Sequence, residues 1–101
     1  MFWNKAPRVG GDGHNILSDG SKTHLRLYKY DSCSFCGIVY RAIDALEVNI
    51  EYRDIHENFD YRKELHEATG RVTVPSMFID GEPMFESRDI AAWLQARFPS
   101  V

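Results

Sequence analysis

Several rhythms of apolar and polar residues succeed one another along this chain. His24-Leu25-Arg26-Leu27-Tyr28-Lys29-Tyr30 alternates and is rich in strand formers, which predicts a first strand. Asp31 and Ser32 break the alternation. Phe35, Ile38, Val39, Ala42, Ile43 and Leu46 then recur at helical spacing, so Ser34 to Leu46 predicts an amphipathic helix. Val48, Ile50, Tyr52 and Ile55 suggest a second strand. Asn58 or Asp60 can cap a second helix that carries Tyr61, Leu65 and Ala68 on one face and stops at Gly70. Ser76-Met77-Phe78-Ile79 and Pro83-Met84-Phe85 are short apolar runs joined through Asp80-Gly81, a hairpin signal. Ile90, Trp93, Leu94 and Phe98 line one side of a closing helix that Pro99 ends.

The order β-α-β-α-β-β-α needs a parallel crossover in its first half and an antiparallel pair in its second. The expected fold is therefore α/β: a four-stranded mixed sheet covered by three helices, formed by residues 23–101. Residues 1–22 have a different texture. Val9-Gly10-Gly11-Asp12-Gly13-His14-Asn15 and Ser18-Asp19-Gly20-Ser21 are rich in breakers of regular structure, so this stretch reads as a flexible N-terminal extension.

Bulk properties narrow the function. A chain of 101 residues has room for one domain, and 44% apolar residues suffice for its core. No apolar run is long enough to span a membrane, and the first residues lack the apolar stretch of a secretory signal, so a cytoplasmic protein is expected. Net charge is −3 with scattered basic residues, unlike a nucleic-acid binder. His14, His24, His56 and His66 stand apart, and two cysteines without Cys or His partners do not make a zinc site.

Three local clusters carry chemistry. Cys33-Ser34-Phe35-Cys36 lies where a strand gives way to a helix. There unpaired N–H groups and the helix dipole favour a thiolate on Cys33, and Cys36 sits one turn deeper, placed to resolve a mixed disulfide. The plain alternative is a pair of core cysteines, or half a metal site. Thr73-Val74-Pro75 precedes the third strand. A cis Val74–Pro75 bond would leave the Val74 backbone open to an extended peptide, although only about 5–6% of such bonds are cis and a trans proline is the ordinary expectation. Glu86-Ser87-Arg88-Asp89 opens the last helix: Ser87 and the helix N–H groups suit a carboxylate, Glu86 an ammonium, unless Ser87 simply caps the helix.

About three-quarters of the chain, from Thr23 to Phe98, resembles a glutaredoxin, and most of all the bacterial glutaredoxin-like proteins akin to the N-terminal domain of glutathione S-transferases. The resemblance rests on Leu27-Tyr28-Lys29-Tyr30 leading into Cys33-Ser34-Phe35-Cys36. Thr69-Gly70-Arg71-Val72-Thr73-Val74-Pro75, Met77-Phe78-Ile79-Asp80-Gly81 and Phe85-Glu86-Ser87 follow in order. It implies a thioredoxin-like fold, a cis-proline at Pro75 beside Cys33, and glutathione in a groove against Val74. The implied glutathione contacts are Tyr30, Phe35, Arg71, Thr73, Val74, Pro75, Glu86 and Ser87. Tyr30 stands where the family often has Lys or Arg, with Lys29 one residue earlier on the other strand face and Arg71 the substitute cation. Ser34 stands where many relatives have Pro, and Met84-Phe85-Glu86 replaces a double-glycine turn.

The function so implied is glutathione-dependent thiol–disulfide exchange by a cytoplasmic monomer. Cys33 is the nucleophile, Cys36 the resolving thiol, and glutathionylated proteins or small disulfides are the substrates. Two alternatives differ in class. One is a carrier that bridges a [2Fe–2S] cluster through Cys33 and glutathione, suggested by Ser34; otherwise no metal is expected. The other is a low-turnover glutathione-binding module.

Overall fold

Strand β2 (Lys22–Lys29) organises the molecule, because its alternation sends Leu25 and Leu27 to one face and Tyr28 to the other, all buried. The computed structural model describes residue 8 and residues 10–99. Helix α1 (Ser34–Leu46) follows β2, and strand β3 (Glu51–Asp54) returns parallel to it, with Lys29 opposite Asp54. After helix α2 (Phe59–Thr69), strand β4 (Ser76–Ile79) pairs antiparallel with the other edge of β2, and β5 (Glu82–Met84) pairs with β4. Helix α3 (Ser87–Arg97) closes the domain. This is the expected four-stranded mixed sheet with three helices.

The sheet separates two unequal layers. Leu25, Leu27, Val39, Ile43, Ile50, Met77, Ile90 and Leu94 form the large core between the sheet and α1 with α3. On the other face α2 covers a smaller cluster of Tyr28, Ile55, Leu65 and Phe78. The expected stripe on α2 is shorter than Tyr61-Leu65-Ala68: Leu65 is buried, Tyr61 half-buried and Ala68 exposed, since α2 meets the sheet mainly through its middle. Asn58 is its cap, accepting the Asp60 N–H at 2.9 Å. The β4–β5 turn takes positive φ at Asp80 (50°) and Gly81 (89°), the backbone that an Asp-Gly pair tolerates. Among the described residues, no helix is long and apolar enough to cross a membrane.

The part of residues 1–22 that is described departs from the flexible extension expected of it; residues 1–7 and 9 lie outside the described residues. Strand β1 (His14–Ile16) pairs antiparallel with β2, His14 opposite His24, and makes the sheet five-stranded. Tertiary bonds supply what the local sequence lacks. Gly11 N–H donates to Ile50 O at 2.9 Å. The Asn15 side chain donates to Asn49 O at 2.7 Å and accepts from Asn49 N–H at 2.9 Å. Gly13 is buried with φ 84°, and a Cβ there would lie 2.5 Å from Leu25 O, so only glycine lets this backbone approach β2 so closely.

Candidate active site

The strand–helix junction delivers Cys33 as the N-cap of α1. Its N–H donates to Tyr30 O at 3.1 Å, and its backbone is extended (φ −76°, ψ 115°). Its sulfur accepts the Cys36 N–H at 3.3 Å. Sγ thus stands where a capping Ser or Asp would put its oxygen, and a thiolate accepts such a bond better than a thiol. The same sulfur lies 3.9 Å from Val74 O, to which the thiol can donate. Cys33 keeps 8% exposure, whereas Cys36 has none. Burial first, then the hydrogen bond and charge of Cys33, push the Cys36 thiol up to about 12.

The Val74–Pro75 peptide is cis, as the resemblance implied and the ordinary expectation did not. Pro75 is buried at the floor, and Ser76 Oγ donates to Thr73 O across the bend. From here a groove of about 520 Å³ runs between α1 and the start of α3. It brings together Phe35, Thr73, Val74, Pro75, Glu86 and Ser87, with Phe35 63% exposed. The cap of α3 is Glu86, without a side-chain capping bond, and Ser87 is the first helical residue. The simple reading of Ser87 as the cap therefore fails, because the helix begins one residue earlier than that requires.

Two expected contacts fall outside this lining. The Tyr30 ring stacks on His56, with centroids 4.0 Å apart and planes 9° from parallel, on the α2 side of the sheet. Arg71 lays its guanidinium over the Phe85 ring at 4.2 Å, which keeps it at the rim beside the groove. Four lining residues were missed by the sequence reading: Ile38, Phe85, Arg88 and Asp89. Ile38 follows Phe35 at helical spacing, a signal that was available. Arg88 and Asp89 looked like ordinary first-turn residues. Glu86 and Asp89 with Arg88 give the groove both signs of charge, suited to a ligand that is itself zwitterionic.

Lys29 is not available to a ligand. Only 2% of its side chain is exposed, and Nζ donates to Asp31 at 2.7 Å and Asp54 at 3.2 Å. Asp54 also accepts the His56 and Glu57 N–H groups at 2.8 and 3.1 Å. The carboxylates of Asp31, Asp54 and Glu57 converge, but Lys29 pairs with two of them, and the cluster reads as an ion-pair anchor under the loop that leads to Cys33.

The family model for glutaredoxin matches residues 25–84, more than half of the chain. The chain belongs to the glutaredoxin family. Solved structures share the architecture. A glutathione S-transferase from Drosophila melanogaster has 26% identity and a TM-score of 0.61, covering 71% of this chain and 34% of that one. The holo form of a glutaredoxin from Populus tremula × tremuloides has 21% identity and a TM-score of 0.58, covering 71% and 74%. A mutant of a thioredoxin-like protein has 24% identity and a TM-score of 0.60, covering 69% and 97%. The chain thus spans about a third or less of the transferases it matches and most of the glutaredoxin and the thioredoxin-like protein. No curated protein matches it. The glutaredoxin assignment and this thioredoxin-like fold support a glutathione-related role in thiol redox chemistry.

Proposed function

We propose that this glutaredoxin-family chain is a glutathione-dependent thiol–disulfide oxidoreductase with Cys33 as nucleophile. The observation that carries the reading is the Cys33 sulfur itself. It is held by the Cys36 N–H and lies 3.9 Å from the carbonyl oxygen of Val74, a residue that lines the Thr73–Asp89 groove. Glutathione would extend along the Val74 backbone, with its γ-glutamyl end, carrying an ammonium and a carboxylate, at Glu86 and the start of α3. Arg71 at the rim is the candidate cation for its other carboxylate.

The Cys33 thiolate attacks the glutathione sulfur of a mixed disulfide. A Cys33–glutathione bond forms and the substrate thiolate departs with the electron pair of the broken bond. A second glutathione thiolate then attacks the bound glutathione sulfur, releasing Cys33 and glutathione disulfide. Alternatively Cys36 attacks Cys33, releases glutathione and leaves a Cys33–Cys36 disulfide for later reduction. The test is a glutathione-coupled assay on a small glutathione mixed disulfide. Cys33→Ser should abolish turnover and Cys36→Ser should retain much of it. Equal loss in both variants would make glutathione turnover a strictly two-cysteine reaction and overturn the one-cysteine route.

A further inference from the structure

One buried polar atom has no partner in the fold. The Tyr40 hydroxyl oxygen is buried and makes no hydrogen bond among the described residues, although an unmatched buried hydroxyl is destabilising. Tyr40 stands four residues beyond Cys36 on α1, so the two side chains share a helix face. Its ring is clamped. The Arg8 guanidinium lies over it at 4.3 Å, and the Tyr52 ring meets it edge-on with centroids 6.4 Å apart. Arg8 is itself fixed by Asp44 and by donation to the Tyr52 hydroxyl at 3.1 Å. Tyr40 also walls a second groove of about 440 Å³, which adjoins Cys33 and is lined by Arg8 and Asp31 but by none of the residues around the Thr73–Asp89 groove.

We propose that Tyr40 is a positioning residue for the resolving thiol: its hydroxyl donates to the Cys36 sulfur when that sulfur ionises, and so promotes closure of the Cys33–Cys36 disulfide. The inference rests on the two-cysteine chemistry above and adds a residue to it. The groups facing Cys36 are the Cys33 sulfur, the Tyr30 backbone and Tyr40; those facing Tyr40 are Cys36, Asp31, Arg8 and Tyr52. Burial, then Cys36 and Asp31, push the Tyr40 phenol up, so it stays protonated at neutral pH and remains a donor. In closure the Cys36 proton passes to solvent and the thiolate attacks Cys33 Sγ. The Sγ–Sγ bond forms, and the bond from Cys33 to the outgoing thiol breaks, that thiolate leaving with the electron pair. Cys36 is oxidised, the outgoing sulfur is reduced, and the mixed disulfide is the oxidant.

The experiment mixes the reduced full chain with an excess of bis(5-thio-2-nitrobenzoate) disulfide in a stopped-flow instrument. A first burst of colour reports attack by Cys33, and a second reports Cys36 displacing the aryl thiol. In Tyr40→Phe the pH midpoint of the second phase should rise by about one unit. The rate at neutral pH should fall only about threefold, because a tenfold smaller thiolate fraction is partly offset by a more nucleophilic sulfur. The first phase should be unmoved, and thermal stability should be kept or raised, since no hydrogen bond is removed. An unmoved midpoint overturns the proposal, as does equal slowing of both phases, which would make Tyr40 a packing residue. Because the aryl disulfide needs no glutathione, the midpoint tests Tyr40 even where glutathione proves not to be the co-substrate. A second phase missing from the unmodified chain would overturn the Tyr40 proposal together with the two-cysteine route, and leave the one-cysteine route standing.

Discussion

At its amino end, strand β2 is tied to the β4–β5 turn by an exposed carboxylate; at its carboxyl end it is tied to β3 by a cation almost out of reach of water. Asp80 accepts from Thr23 Oγ1 and from His24 N–H, each at 2.8 Å. Lys29 holds Asp31 and Asp54 from inside the fold. The first arrangement is local, solvated and forgiving. The second admits little play, because a buried charge that loses its partners is strongly destabilising, and it lies four residues before the nucleophile. The rigid, demanding anchor therefore serves the reactive end of the strand, and the tolerant one serves the end that only has to turn a chain.

Lys29→Met tests that contrast most severely. It strands Asp54, whose side chain is 9% exposed, and should lower stability by about 3 kcal/mol, read from a urea titration. The figure sits at the lower end of the usual range because Asp54 keeps the His56 and Glu57 N–H groups. Asp80→Ala removes exposed hydrogen bonds and should lower stability by only about 1 kcal/mol, with disulfide turnover unchanged. Equal losses in the two variants would erase the distinction between the ends.

Acid and alkali separate the ends more finely. The His24 N–H, then the Thr23 hydroxyl, hold the Asp80 carboxyl below its ordinary value. Its contribution is present above the unfolded value and fades as pH falls through the folded one, so the gap in urea midpoint between wild type and Asp80→Ala should begin to narrow only below about pH 4. For Lys29 burial opposes the charge, but the bonds from Asp31 and Asp54 outweigh it, and the ammonium is held above its ordinary value. That contribution is full below about pH 10.5 and lost as pH rises through the folded value, so the gap between wild type and Lys29→Met should narrow only in strong alkali.

Much of this was legible in the sequence because the signals were local. Helix α1 runs over the predicted Ser34 to Leu46, since an apolar stripe of that strength needs no distant help. Asp80-Gly81 named its own turn. The motifs that hold Cys33 with Cys36, Thr73 to Pro75, and Glu86 with Ser87 were readable because each is short and local, and the fold brings the last two together along one groove. Strand β1 was not legible. Three residues among glycines and aspartates carry no period, and the strand exists through β2 and Asn49, 34 positions away from Asn15. Nor was the burial of Lys29, since a charged residue in an alternating strand looks solvated until Asp54 appears opposite it. The surroundings of Tyr30 and Arg71 were not legible for a related reason: their ring partners, His56 and Phe85, are set by tertiary packing.

The paired amides of Asn15 and Asn49 have a further consequence. By giving one hydrogen bond and taking another from the same residue, the Asn15 side chain acts as a counterfeit peptide group just where β3 has not yet begun. Its own chain thereby claims the margin of the sheet beside β2, and a stranger's strand finds less backbone there to copy.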